Sequence, residues 1–389
     1  MAGMGPTIFA EMSALAAATG SVNLGQGFPD TDGPRQIAQA AAAAVLGGRG
    51  NQYPPGPGVP ELRQAVADHQ RRFYGLDFDP GTEVLVTAGA TEAVAAALLA
   101  LVEPGDEVIA FEPYYDSYAA CVALAGGIRV PVTLRAPDFR PDTAALRAAV
   151  TPRTRLILLN SPHNPTGSVF TRAELAAIAE VACERDLLVV TDEVYEHMVY
   201  AGEHVPICSL PGMRARTVSI SSAGKTFSFT GWKIGWVTAP AELVGAVRAV
   251  KQFLTFVSGG PFQYAIAEGL RMPDAYFATV AADLRAKRDL LCAGLAEAGF
   301  LVYPPDGTYF VTTDIRALGY ADGAEFCRSL PHQAGVVAIP NAVFYDDPDA
   351  GRTQVRFAFC KRREVLRDAL SRIEKWALRG GPADPGMFT

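Results

Sequence analysis

The chain has 389 residues, 49% of them hydrophobic and 19% charged, a globular composition with room for two domains. A formal net charge of −7 gives no electrostatic basis for binding nucleic acid or an anionic membrane surface. Six cysteines without a CxxC pair and five histidines without ligand spacing argue for reduced thiols in a cytoplasmic protein, and against a disulfide frame or a metal site.

Residues 1–20 read as an arm or short helix and lack the Lys/Arg-flanked apolar core of a signal peptide. From about 33 to 270, helical patterns alternate with short apolar runs. Strands are predicted at 83–87, 107–111, 155–160, 186–192 and 217–222. Helices are predicted at 91–102 and 171–184, opening on Thr91 and Thr171, each able to cap its helix. The most apolar run, AVAAALLALV, is far short of the roughly 20 residues that cross a bilayer. The alternation predicts an α/β fold, a three-layer αβα unit with a mostly parallel sheet covered on both faces. After about 272 the pattern changes. A long amphipathic helix, DAYFATVAADLRAKRDLLCAGLAEAG, precedes apolar stretches at 301–314, 335–340 and 354–360 and a last helix at 362–378. The expected division is 1–32 as an N-terminal arm with part of a small domain, 33–272 as the large domain and 273–389 as a smaller α+β domain.

In α/β sheets, ligands bind at the carboxyl ends of strands, and the informative residues gather there. Gly89-Ala90-Thr91 joins a strand to a helix, where backbone N–H groups and the helix N-terminus suit phosphate. NSPHNPTG (160–167) forms an irregular loop in which Asn160 and Asn164 also read as turn caps. Asp192 ends a buried strand, where an acid is costly unless partnered; it reads as a salt bridge, a helix cap or a carboxylate facing a protonated ring nitrogen. Lys225 and Lys233 lie in SSAGKTFSFTGWKIGW. Either lysine alone reads as solvated charge. A lysine acting as a nucleophile needs a partly desolvated site or cationic neighbours, and Ser221, Ser222 and Lys233 suit a phosphate.

Taken together and in order, these strand ends resemble the class I/II aminotransferases, pyridoxal 5′-phosphate (PLP) enzymes of fold type I. The likeness covers nearly the whole chain, through VNLGQGFPD (22–30), NQYPPGPGVPELR (51–63), VTAGATEA (86–93), EPYYDSY (112–118), SPHNPTG, TDEVYE (191–196), SSAGKTFSFTGWKIGW and VRFAFCK (355–361). It is strongest toward the branch of kynurenine/glutamine, bacterial methionine and actinobacterial N-succinyldiaminopimelate aminotransferases, with NQYPPGPG and VNLGQGFPD most like the last.

The resemblance implies that Lys225 attaches to the cofactor aldehyde and later shuttles the substrate Cα proton. It implies Asp192 at the pyridine nitrogen, Asn164 and Tyr195 at the 3′-oxygen, and Tyr115 (or Tyr114) stacked on the ring. Ala90, Thr91, Ser222 and Lys233 would hold the phosphate, joined by Tyr53 of the other subunit in a homodimer with shared active sites. Arg356, with Gly27 beside it, would clamp the substrate α-carboxylate. Phe9 and Val257 stand where kynurenine-type relatives carry Trp and His, and both would line the side-chain pocket. The implied reaction moves an amino group from an L-amino acid to a 2-oxo acid, 2-oxoglutarate in the first instance, with a lean to N-succinyl-LL-diaminopimelate as donor. Kynurenine-, glutamine- or methionine-type transfer, β-elimination on cysteine conjugates, and a non-catalytic ligand-binding domain are the alternatives.

Overall fold

The structure, a computed structural model, describes residues 7–379; positions 1–6 of the predicted arm and 380–389 of the predicted small domain lie outside them. Helix α1 (Ile8–Thr19), capped by the Thr7 hydroxyl, leads into the two-residue strand β1 (Val22–Asn23). Helices α2 (Arg35–Leu46) and α3 (Pro60–Tyr74) follow. The alternating region then runs β2 (Val84–Thr87), α4 (Gly89–Leu101), β3 (Glu107–Glu112), α5 (Asp116–Leu124), β4 (Ile128–Thr133), α6 (Thr143–Ala149), β5 (Thr154–Asn160), α7 (Arg172–Glu184) and β6 (Leu188–Asp192). It closes with β7 (Thr217–Ser222), the single turn α8 (Ala223–Thr226), β8 (Gly235–Thr238), α9 (Ala241–Lys251) and α10 (Gly260–Leu270).

These strands form one seven-stranded sheet in the order β2-β8-β7-β6-β5-β3-β4, in which β8 alone runs against the rest. The expected mostly parallel, doubly covered α/β sheet is therefore observed. Side chains alternate between its faces, as strand geometry requires. Leu156, Leu158, Val190 and Val237 pack beneath α4, α5 and α9, while Ile157, Leu159 and Val189 pack against α7 on the opposite face. On that opposite side Val84, Val86 and Trp236 join α2, α3 and α10 in a further cluster.

All five predicted strands are present. Two were missed. Strand β4 is an edge strand interrupted by Pro131, which weakens its sequence signal. Strand β8 is only four residues long and follows a glycine-rich turn. The helix expected at 91–102 starts earlier, at Gly89, and Thr91 does not cap it. Instead the Glu92 carboxylate accepts the Ala88 N–H at 2.5 Å, which leaves Thr91 free on the first turn. Thr171 does cap its helix, in a reciprocal capping box with Glu174.

The long helix is α11 (Asp274–Glu297), followed by β9 (Leu301–Tyr303), β10 (Phe310–Asp314), α12 (Gly323–Gln333), β11 (Val336–Val337), β12 (Ile339–Pro340), β13 (Gln354–Ala358) and α13 (Arg363–Leu378). Strands β12-β13-β10-β9 form an antiparallel sheet, and β11 pairs in parallel with β1. Met12 and Leu24 from the N-terminal segment share a core with Leu291, Phe326, Phe357 and Trp376. Helix α11 starts in one core through Phe277 and continues into this other one through Leu284 and Leu291.

Gly235 is where the antiparallel strand touches the start of α4. A Cβ there would stand 2.6 Å from the Gly89 carbonyl carbon and 2.8 Å from the Ala90 nitrogen, closer than real contacts allow. Gly235→Ala is expected to destabilise the fold by about 1–3 kcal/mol by overpacking. Urea unfolding measures it, and an unchanged midpoint would mean that β8 and α4 part without strain.

Candidate active site

A cavity of about 390 Å³, of a size usual for cofactor sites, opens at the carboxyl ends of the central strands. The sheet register brings its polar groups together. Asn160 at the end of β5 lies opposite Asp192 at the end of β6, and Ser222 at the end of β7 lies opposite Gly235. Lys225 follows within the turn α8, because the chain must reverse there to re-enter the sheet as β8.

The Lys225 amine donates to the Tyr309 hydroxyl at 2.9 Å and, more distantly, to the Gly27 carbonyl at 3.5 Å. Burial lowers its pKa to about 8; the Arg356 and Lys233 charges act in the same direction, against the pull of Asp192. Asp192 is buried, and desolvation raises its pKa. Its carboxylate accepts from the Tyr118 hydroxyl at 2.7 Å and from the Val194 N–H at 3.3 Å, with no ion-pair partner among the described residues. Asn160 braces the same turn by donating to the Asp192 carbonyl at 2.8 Å, while its own carbonyl accepts the Asn164 N–H at 2.7 Å.

At one end of the cavity, Gly89, with φ +76°, turns the chain into α4, so the free N–H groups of Ala90 and Thr91 sit at a helix N-terminus. Lys233 adopts the left-handed backbone conformation, φ 55°, and its ammonium lies against Gly89, 3.3 Å from where a Cβ would stand. Ser222 lines the same cavity. At another wall, Arg356 on β13 is only 1% exposed. It donates to the Asn164 side-chain carbonyl at 2.9 Å and to the Gly25 carbonyl at 3.1 Å, and its Nε has no partner. The Phe310, Phe344 and Phe9 rings surround it at 4.0, 5.0 and 5.3 Å. Burial lowers its pKa to about 10, partly offset by Asp116 at longer range, so it stays charged at neutral pH without a direct ion pair among the described residues.

The cavity thus gathers Lys225, Ala90, Thr91, Tyr115, Asn164, Asp192, Tyr195, Ser222, Lys233, Gly27, Arg356 and Phe9 of the expected residues. Tyr115 rather than Tyr114 lines it, since the Tyr114 hydroxyl turns away to the Asp346 carboxylate. Ser221, read as a phosphate ligand alongside Ser222, is corrected. Strand alternation sends it to the other face, where its hydroxyl donates to Glu196 at 2.6 Å. Val257 does not line the cavity of its own chain; its neighbour Phe256 has its ring 5.5 Å from that of Tyr53. Tyr53 is 82% exposed and does not line it either.

Sequence reasoning missed Tyr118, which belongs to the quoted EPYYDSY, and Tyr309 and Phe310, whose only signal is the short DGTYF run. Away from the cavity, His69, Glu196 and His197 bring potential metal-ligand atoms within 4.8 Å of one another, despite their lack of sequence spacing. Most of these atoms already have protein partners, although the buried His69 Nδ1 has none. The two imidazoles share a hydrogen bond of 2.7 Å, and the Glu196 oxygens accept from Tyr74 and Ser221.

A family profile described as aminotransferase class I and II matches residues 19–373. The chain belongs to this family. It is similar to a probable N-succinyldiaminopimelate aminotransferase of Mycobacterium tuberculosis, 55% identical with 96% of each chain covered. It is also similar to the methionine aminotransferase of Escherichia coli, 42% identical with 96% of each covered. The solved N-succinyldiaminopimelate aminotransferase from M. tuberculosis superposes with a TM-score of 0.93 at 56% identity, covering 96% of this chain and 97% of that one. Class I and II aminotransferases use PLP, and this chain is a PLP-dependent aminotransferase.

The residues present fit that cofactor. A buried carboxylate without a cation, a cradle of backbone N–H groups beside an ammonium, and a depressed amine share one cavity. With the Lys225 pKa near 8, about a tenth of its amines are unprotonated at pH 7 in the cofactor-free protein. Acetylation of Lys225, followed by peptide mass spectrometry, is therefore expected to rise about tenfold per pH unit below 8 and to level off above it. A midpoint at the ordinary lysine value would show that the amine is solvated.

Proposed function

We propose that this aminotransferase takes the amino group of N-succinyl-LL-diaminopimelate and passes it to 2-oxoglutarate, with Arg356 clamping the α-carboxylate of both. The observation that carries the clamp is the buried Arg356 guanidinium with an orphaned Nε and no direct ion pair among the described residues. The lean to the succinylated donor rests on the 55% identity to the M. tuberculosis relative over 96% of the chain.

When bound, PLP supplies an aldehyde that captures amines and a protonated pyridine that draws electrons from the Cα–H bond. Asp192 would hold the pyridine proton, since a buried carboxylate gains most from a cationic partner. Asn164 and Tyr195 would bond the cofactor's 3′-oxygen, and Tyr115 would stack on the ring. The N–H groups of Ala90 and Thr91, with Ser222 and Lys233, would grip the phosphate. Arg356 fixes the substrate so that its Cα–H points toward Lys225, and the Lys225 Nζ takes that proton and returns it. Phe9 and the Gly27 segment border the side chain. The cations lining the cavity are Lys225, Lys233 and Arg356, so the distal part of a long substrate meets neutral groups of this chain.

We further place the chain in a homodimer in the cytoplasm. Tyr53 and Phe253 are 82% and 84% exposed, and Thr91 and Lys233 are exposed at the phosphate end. An interface there would cover the aromatic surface and let Tyr53 of the partner subunit complete the cradle. The six cysteines are free, as in a reducing compartment. No helix among the described residues is long and apolar enough to cross a membrane.

Arg356→Ala is expected to raise KM for amino and oxo acids alike by roughly a hundredfold, the loss typical of a buried charge pair. A KM that ignores the change would move the carboxylate site elsewhere. In half-reactions read from the cofactor spectrum, N-succinyl-LL-diaminopimelate should outpace kynurenine, methionine and glutamine. Preference for another donor overturns the substrate reading, and release of pyruvate and ammonia from cysteine conjugates without an acceptor favours β-elimination. Sedimentation at assay concentration is expected to give a dimer, and an active monomer would refute the shared site.

A further inference from the structure

Tyr309 has no assigned role, yet its hydroxyl touches the reactive amine. It sits immediately before β10, and its ring is 1% exposed. The hydroxyl donates to the Gly27 carbonyl at 2.6 Å, so its only proton is committed. Toward Lys225, 2.9 Å away, the phenol oxygen therefore presents a lone pair and acts as an acceptor. The Gly27 carbonyl is a second acceptor on the same amine, at 3.5 Å. A neutral amine has two hydrogens and one lone pair. With both hydrogens drawn toward Tyr309 and Gly27, the lone pair takes the remaining tetrahedral direction, away from these two groups.

The phenol is held rigidly enough for this. Its ring meets the Tyr195 ring edge-on at 5.3 Å and the Phe310 ring at 4.8 Å. The preceding backbone is tied at two points: the Gly307 N–H donates to the Gly167 carbonyl and the Thr308 N–H to the Met198 carbonyl, both at 2.8 Å. The Tyr309 carbonyl itself accepts the Phe359 N–H at 2.9 Å. Burial keeps the hydroxyl protonated far above neutral pH, so it does not compete with Lys225 for the transferred proton.

We propose that Tyr309 is a positioning residue for the transamination, orienting the free Lys225 amine through an accepted hydrogen bond while anchoring itself on Gly27. It acts through Lys225, and the proposal rests on the reading of Lys225 as the residue that moves the Cα proton. The two are separable: Lys225→Ala tests that reading by loss of turnover, whereas Tyr309→Phe tests the orientation.

Tyr309→Phe keeps the ring and removes the acceptor. In the cofactor-free protein, the acetylation midpoint of Lys225 is expected to fall by about one pH unit, because the ammonium form loses a charge-assisted hydrogen bond. In the holoenzyme, kcat should fall roughly tenfold with KM changed less than about twofold, and the isotope effect on an α-deuterated amino acid should increase. A packing role alone would move neither the midpoint nor the isotope effect, so unchanged values of both overturn the proposal. Should Tyr309→Phe fail to fold, a fluorotyrosine at position 309 weakens the oxygen as an acceptor with the shape kept. The midpoint must then still fall, and a midpoint that stays fixed overturns the proposal equally.

Discussion

The Arg356 guanidinium is buried among three phenyl rings, and among the described residues no carboxylate pairs with it directly, Asp116 acting only at longer range; much of the surrounding architecture makes that tolerable. A charge in such surroundings is costly unless its protons are bonded. Asn164 and the Gly25 carbonyl take two of its N–H groups, and the faces of Phe9, Phe310 and Phe344 offer weaker electrostatic support. Its partners come from the N-terminal segment, the loop after β5 and the small antiparallel sheet. The arginine can therefore be held only if segments more than 300 residues apart in the chain are already in place.

The same uncompensated positive charge reaches Lys225, whose amine is depressed by burial and by the Arg356 and Lys233 charges together. Asp192 supplies a single buried carboxylate among these three cations, and its direct hydrogen bonds come from the neutral Tyr118 hydroxyl and Val194 N–H. The cavity is electrostatically unfinished, with an excess of positive charge spread over two walls. Two anionic groups, a phosphate at the α4 end and a carboxylate at the β13 end, are what such a distribution favours.

Much of this was legible in the sequence, for an identifiable reason. In a parallel sheet each strand ends on the same side, so residues at successive strand ends meet without long-range information. Asp192, Ser222, Lys225 and the Gly89 turn were readable in that way. What escaped depends on contacts that cross between distant segments. Tyr309 reaches Lys225 from 84 residues away, and Tyr118 reaches Asp192 from 74 residues away. Neither pairing has a local periodicity to announce it. Ser221 failed differently, since neighbouring serines look alike in a sequence although a strand sends them to opposite faces. Strand β8 was hidden by its brevity, yet it sets the two-sided contact of Gly235 with the start of α4.

The meeting of Gly27, Lys225 and Tyr309 also bears on when the protein becomes reactive. In an incompletely folded chain Lys225 is an ordinary lysine, protonated at neutral pH and indistinguishable from any other. Its depressed amine is a consequence of burial, which the folded chain supplies. A cofactor that binds only the folded cavity stabilises that fold by mass action.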